Sequence, residues 1–117
     1  MKLPFDQRAA HMARERVRGL HLVDESQLQI LELLVSEVVT NAVRHGSPPV
    51  TLAVTATRDG VRIEVDDGST REPHHIEPSP DGGFGLPLLD AFSEAWGTNP
   101  TAAGKAVWFE LEAHGHD

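Results

Sequence analysis

Polar and apolar residues change period several times along the chain, and each change marks an element. Between Asp24 and His45, the residues Leu28, Leu31, Leu34, Val35, Val38, Val39 and Ala42 recur at spacings of three and four. That spacing lines them up on one stripe of a long amphipathic helix. Asp24 or Ser26 can accept the first unpaired backbone N–H groups of this helix. At its far end Gly46 stands where helices commonly turn left-handed, and Pro48-Pro49 forbid continuation. A shorter helix is predicted over about residues 7–18, introduced by Pro4 and Asp6 and stopped at Gly19.

Beyond the prolines the period falls to two. Residues 50–57 and 61–66 alternate and are joined by Arg58-Asp59-Gly60, which reads as a β-hairpin. Residues 68–82 are polar and carry three prolines, an unusually long loop for a small domain and the expected lid. Gly82-Gly83-Phe84-Gly85 then opens a helix of about 86–95, with Leu86, Leu88, Leu89 and Phe92 as its apolar positions and Trp96-Gly97 closing it. After an irregular turn, residues 105–111 read as a last strand, and about 113–117 as a disordered tail. Helices and strands in this order predict a single α/β (α+β) domain over residues 1–117. Its form is a two-layer sandwich, a mixed and mostly antiparallel sheet covered on one face by helices.

Composition narrows the function classes. The chain has 117 residues, no Cys and a net charge of −8. Thiolate chemistry, disulfides and Cys-based metal sites are excluded. No apolar run approaches the length that spans a bilayer, and the first residues lack the apolar core of a secretory signal, so a cytoplasmic protein without membrane contact is expected. The charge also argues against direct nucleic-acid binding. It is unevenly placed: residues 1–46 carry six basic and six acidic side chains, and residues 47–117 carry four and twelve. Arg14, Arg16 and Arg18 form a basic cluster that is a candidate partner surface.

Three constellations could carry chemistry. Glu37 and Asn41 are one helical turn apart and project from one side of the long helix. A carboxylate beside a carboxamide oxygen can provide a proton acceptor and a Mg²⁺ ligand; taken alone, the pair also reads as an exposed acid beside an interior amide. Asp67-Gly68 ends a strand, where a carboxylate can accept from an exocyclic amine while a glycine lets a ring approach, although Asp-Gly equally makes a plain turn. Gly83, Phe84 and Gly85 run into a helix whose N-terminal amides suit phosphate, or else serve as a hinge. His74-His75 and the pair His114 and His116 lack convincing metal-ligand spacing, and His45 suits the C-terminal end of the helix dipole.

In order and spacing these segments resemble the Bergerat-fold ATP-binding superfamily, which includes gyrase and the histidine kinases. Within it the chain looks like the small anti-sigma-factor serine/threonine kinases. The likeness spans about residues 5–112 and is most specific at LLVSEVVTNAVRHG, GFGLPLLDAFSEAWG and GKAVWFEL. It implies ATP and Mg²⁺ as cofactors, Glu37 as catalytic base and Asn41 as metal ligand. It further implies a nucleotide site formed by Asn41, Arg44, His45, Asp67, Gly68, Gly83, Phe84, Gly85, Leu86 and Lys105, with Asp67 at the adenine. The implied partners are a sigma factor, an antagonist protein phosphorylated on serine, and a second copy of the chain. The alternative is a non-catalytic module that sequesters a partner. The chain departs from the family pattern at Ser69 and Arg71, which stand at glycine positions, and at Ala106, where a hydroxyl residue beside the adenine is usual. The extended N-terminal strand of relatives is also missing, so a short sheet edge is expected there.

Overall fold

The computed structural model describes residues 1–69 and 85–115, with the backbone alone at 85 and 86. In chain order the elements are β1 (Lys2–Leu3), α1 (Arg8–Leu20), α2 (Glu25–His45), β2 (Val50–Ala56), β3 (Gly60–Asp67), α3 (Gly85–Phe92), β4 (Ala95–Pro100) and β5 (Lys105–Glu112). The strands form one five-stranded sheet in the order β1-β2-β3-β5-β4, and all four ladders are antiparallel. Helices lie against one face. The two-layer α+β sandwich is as expected.

Burial explains the layers. Leu31, Leu34, Val35, Val38, Val39 and Ala42 of α2 are buried against Leu52, Val61, Ile63, Val65, Phe109 and Leu111 of the sheet. These strand positions alternate, so period two sends every one of them to the helix side. Each fully buried Leu, Val or Phe contributes about 1.5–3 kcal/mol relative to exposure. α1 joins through Ala9, Ala13 and Val17, one residue per turn and all buried, and α3 through Leu89. Across α1 and α2, Arg14 donates to Ser36 Oγ at 2.8 Å, and Arg18 donates to Glu32 at 2.6 Å.

The ends of the elements differ from expectation in three places, and at a fourth, the start of α2, the cap is Asp24, one of the two expected. α1 runs through Gly19 and stops at His21, which takes the left-handed conformation (φ 52°, ψ 42°). α2 is capped by Asp24, whose carboxylate accepts from Gln27 N–H; Ser26 instead donates to that carboxylate. Gly46 is extended (φ −94°, ψ −158°) and not left-handed. Residues expected to end the third helix and begin an irregular turn form β4 instead. α3 stops at Phe92, Ser93 bonds back to Leu89 O, and Glu94 N–H already donates to Glu110 O in β5. Gly97 and Pro100 conceal this strand in the sequence, and both are tolerated because β4 is an edge.

The short sheet edge is present as β1, two residues paired to β2. Of the tail assigned to residues 113–117, Ala113 accepts from Asp24 N–H and donates to Asp59 O, both within hydrogen-bond distance. Gln27 Nε2 donates to Glu112 O at 2.9 Å. Residues 116–117 lie outside the described residues.

Candidate functional site

The last turns of α2 and the end of β3 meet at one point, and that point is Asp67. Its partner strand places it on the helix-covered face, since Val61, Ile63, Val65 and Asp67 alternate with Arg62, Glu64 and Asp66. The side chain is buried, at 5% exposure. Oδ1 accepts from Ser69 N–H at 2.7 Å, and Oδ2 lies 3.6 Å from Lys105 Nζ.

Glycines make this approach feasible. A Cβ on Gly46 would fall 2.6 Å from Asp67 Cγ, 2.7 Å from Oδ2 and 2.5 Å from Ala42 O. A Cβ on Gly104 would fall 2.1 Å from Asp67 O. Gly46 is therefore needed for closeness, and not for the left-handed turn that its position after a helix suggested. Gly68 donates its N–H to Ser47 O at 2.7 Å, tying the end of β3 to the segment after α2.

Asn41 sits one turn before the end of α2. Its Oδ1 is buried and has no hydrogen-bond partner among the described residues. A buried amide oxygen left unpaired costs about 1–3 kcal/mol, and a carboxamide oxygen is a natural ligand for a hard cation such as Mg²⁺. The donor chemistry thus fits the metal implied for this position. Glu37, one turn earlier on the same side, is half-buried. Arg44 and His45 occupy the exposed last turn.

Two sequence expectations change. Ala106 stands opposite Asp66, whereas Lys105 stands opposite Asp67. With period two, Ala106 lies on the other face of the sheet from the Asp67 carboxylate, so the missing hydroxyl there is no loss to that pocket. The residue beside Asp67 is Lys105, which the family likeness implied for the nucleotide site without placing it at the adenine. Its side chain is 12% exposed and held at the carboxylate. The strand register was the signal, and it becomes readable only once both strand ends are known.

Of the remaining expected site residues, Gly83 and Phe84 lie outside the described residues, as do Arg71 and the histidine pair at 74 and 75. Gly85 and Leu86 begin α3. Of the basic cluster, Arg14 and Arg18 are engaged by α2, leaving Arg16 exposed. Among the described residues there is no cluster of three metal-ligating side chains, and no helix long and apolar enough to cross a membrane.

On the outer face, Arg62 lies 4.2 Å above the Trp108 ring and 3.5 Å from Glu110. Asp66 is held above the usual carboxylate range, first by burial and then by neighbouring Glu64.

A search of curated proteins returns no match. The model of the histidine kinase-like ATPase domain matches residues 3–111, nearly the whole chain and every element that forms the site. With the helix acid and amide of α2 and the buried aspartate of β3 arranged as above, the chain belongs to the histidine kinase-like ATPase domain family.

Proposed function

We propose that the protein binds Mg·ATP and transfers its terminal phosphoryl group to a serine of an antagonist protein, acting as an anti-sigma factor of the serine/threonine kinase type. The observation that carries this is the buried Asn41 Oδ1, without a partner among the described residues, one turn from the half-buried carboxylate of Glu37. Mg·ATP supplies the transferable group and neutralises charge as it moves. Asn41 Oδ1 would hold the cation, and Asp67 would accept from the exocyclic amine of the base. Glu37 is left to accept the proton of the attacking hydroxyl, in a transfer that depends mainly on positioning and electrostatics. Gly85, at the start of α3, offers backbone N–H groups to phosphate.

A second reading is a module that binds a partner without catalysis. The occupation of Asp67 by Lys105 favours it, because a base must share that carboxylate. The two are separated by calorimetry with ATP in the presence and absence of Mg²⁺, followed by incubation with labelled ATP and a serine-bearing antagonist. Phosphoserine formed by the wild type and lost in Glu37→Gln supports the kinase. Magnesium-dependent binding without transfer supports the module, and no binding of ATP rules out both the kinase and a nucleotide-binding module.

A further inference from the structure

Sheet order sets β3 between β2 and β5, so the chain leaving β3 is flanked by the segment that leads into β2 and by the turn that leads into β5. On the first side, Gly68 N–H donates to Ser47 O at 2.7 Å, and a Cβ on Gly68 would fall 2.5 Å from Pro48 O. On the other, a Cβ on Gly104 would fall 2.1 Å from Asp67 O, 2.7 Å from Gly68 C and 2.8 Å from Gly68 Cα. All of these are backbone atoms, so no side chain can swing aside to make room.

The two sides of the Gly104 contact are held unequally. Gly104 closes the β4–β5 turn, where Thr101 N–H donates to Gly104 O at 2.9 Å, and the ladders resume at once with Lys105 paired to both Pro100 and Asp67. Thr101, Ala102 and Ala103 are exposed, whereas Gly104 is buried. Asp67 lies beyond the last pair of the β2–β3 ladder, Thr51 with Asp66, and Gly68 lies beyond both ladders. The end of β3 is therefore the side that yields. A side chain at position 104 has to displace it by more than about 1 Å to reach ordinary contact.

We propose that Gly104 is a positioning residue for recognition of the base. By carrying no side chain it lets Asp67 and Gly68 seat against the β4–β5 turn, which sets where the Asp67 carboxylate meets an exocyclic amine. This rests on the ATP-binding reading above and adds the β4–β5 turn to what selects a 6-aminopurine over purines without the amine. Hydrogen bonds operate over a range of about 2.7–3.2 Å, so a displacement near 1 Å removes the bond to the amine. Contacts to the phosphates, on α2 and α3, are left in place.

The test is calorimetry of ATP and purine riboside triphosphate, which lacks only the amine, with the wild-type chain and Gly104→Ala. The wild type should favour ATP at least about tenfold, the worth of one hydrogen bond to a charged acceptor. In Gly104→Ala the preference should shrink to within about threefold, while purine riboside triphosphate binds within about twofold of its wild-type affinity. In amide correlation spectra of the nucleotide-free proteins, the signals of Ser47, Asp67 and Gly68 should move with the substitution. No preference in the wild type, a preference kept in Gly104→Ala, equal weakening of both nucleotides, or spectral changes confined to residues 101–104 each overturn the proposal. Should Gly104→Ala fail to fold by circular dichroism, Thr101→Pro decides, since it removes the N–H that closes the turn and adds no atom beside Asp67. A reduced preference for ATP in that variant supports the proposal, and an unchanged one overturns it. Absence of ATP binding by the wild type rejects the underlying ATP reading, whereas ATP binding with a preference insensitive to the turn rejects only the role of Gly104.

Discussion

Replacing Gly46 with alanine tests the packing on which the candidate site rests. The new methyl carbon would sit 2.5 Å from Ala42 O, 2.6 Å from Asp67 Cγ and 2.7 Å from Asp67 Oδ2. Normal van der Waals contact needs about 3.5–4.0 Å, so close to 1 Å of displacement is required at each atom. None of the three is the free end of a flexible chain. Ala42 O belongs to α2, and the Asp67 carboxylate is held by Ser69 N–H and Lys105. Relief must therefore come from moving the end of α2 away from β3. Overpacking of this kind costs about 1–3 kcal/mol, or roughly 4–12 °C in Tm at about 4 °C per kcal/mol for a domain of this size. Urea and thermal denaturation measure it. Adding Asp67→Ala removes two of the three offending atoms, so the double variant should lose less than the sum of the single losses. A Gly46→Ala protein with unchanged Tm, or strictly additive losses in the cycle, would refute the close approach.

Three further outcomes are expected. Gly19→Ala, in the last turn of α1 with nothing within 4 Å of the added carbon, should stabilise by up to about 0.5–1 kcal/mol; a fall in Tm would show that α1 does not continue through Gly19. Glu37→Gln should reduce phosphotransfer by about 10²–10⁴-fold, the usual worth of a positioned general base, while ATP affinity measured by calorimetry stays within a few-fold. Asp66→Asn should raise Tm at neutral pH, because burial and Glu64 hold the folded-state pKa above that of the unfolded chain. The ionised aspartate then weakens folding above its folded pKa, and that penalty fades as pH falls through the folded pKa toward the unfolded value. Parallel Tm curves for the two proteins from neutral to acidic pH would contradict this.

The parts of the fold visible in the sequence are those in which one face decides everything. α2 was legible because seven apolar positions keep helical period over its whole length, and β2 and β3 because Val50, Leu52, Val61, Ile63 and Val65 alternate. β4 was not legible. It forms at an edge through backbone pairing from Ala95 to Pro100, so its side chains need neither alternation nor β-branching. Trp96, which seemed to close a helix, packs inward from that strand with its N–H toward Asp90. At the candidate site, spacing put Glu37 and Asn41 on one side of α2 and Asp67 at the end of β3, because helix and strand periods fix their faces, while the roles proposed for them came from the family likeness. Ala106 was expected beside the adenine aspartate and Lys105 stands opposite Asp67 instead, because adjacent strand residues lie on opposite faces, and one residue of uncertainty in register exchanges them.

The same exchange alters how the charge of the chain is understood. A net charge of −8 with a neutral N-terminal part suggested that Arg14, Arg16 and Arg18 are held in reserve for a partner. Two of them have partners on α2, where Arg14 reaches Ser36 and the exposed Arg18 reaches Glu32 to fasten α1 onto α2. Arg8 closes on Asp6 at the start of the same helix, and Arg62 on Glu110 across the sheet. Lys105 answers Asp67. Apart from Arg14, which meets a serine hydroxyl, these cations are thus counterparts of particular acids. Of the exposed arginines of α1, Arg8 and Arg18 are paired with Asp6 and Glu32, and Arg16 stands between them on the helix without such an ion pair among the described residues. Charge-reversal at Arg16 should therefore alter docking of a partner by charge on α1 without disturbing the α1–α2 contact, whereas reversal at Arg18 disturbs that contact first.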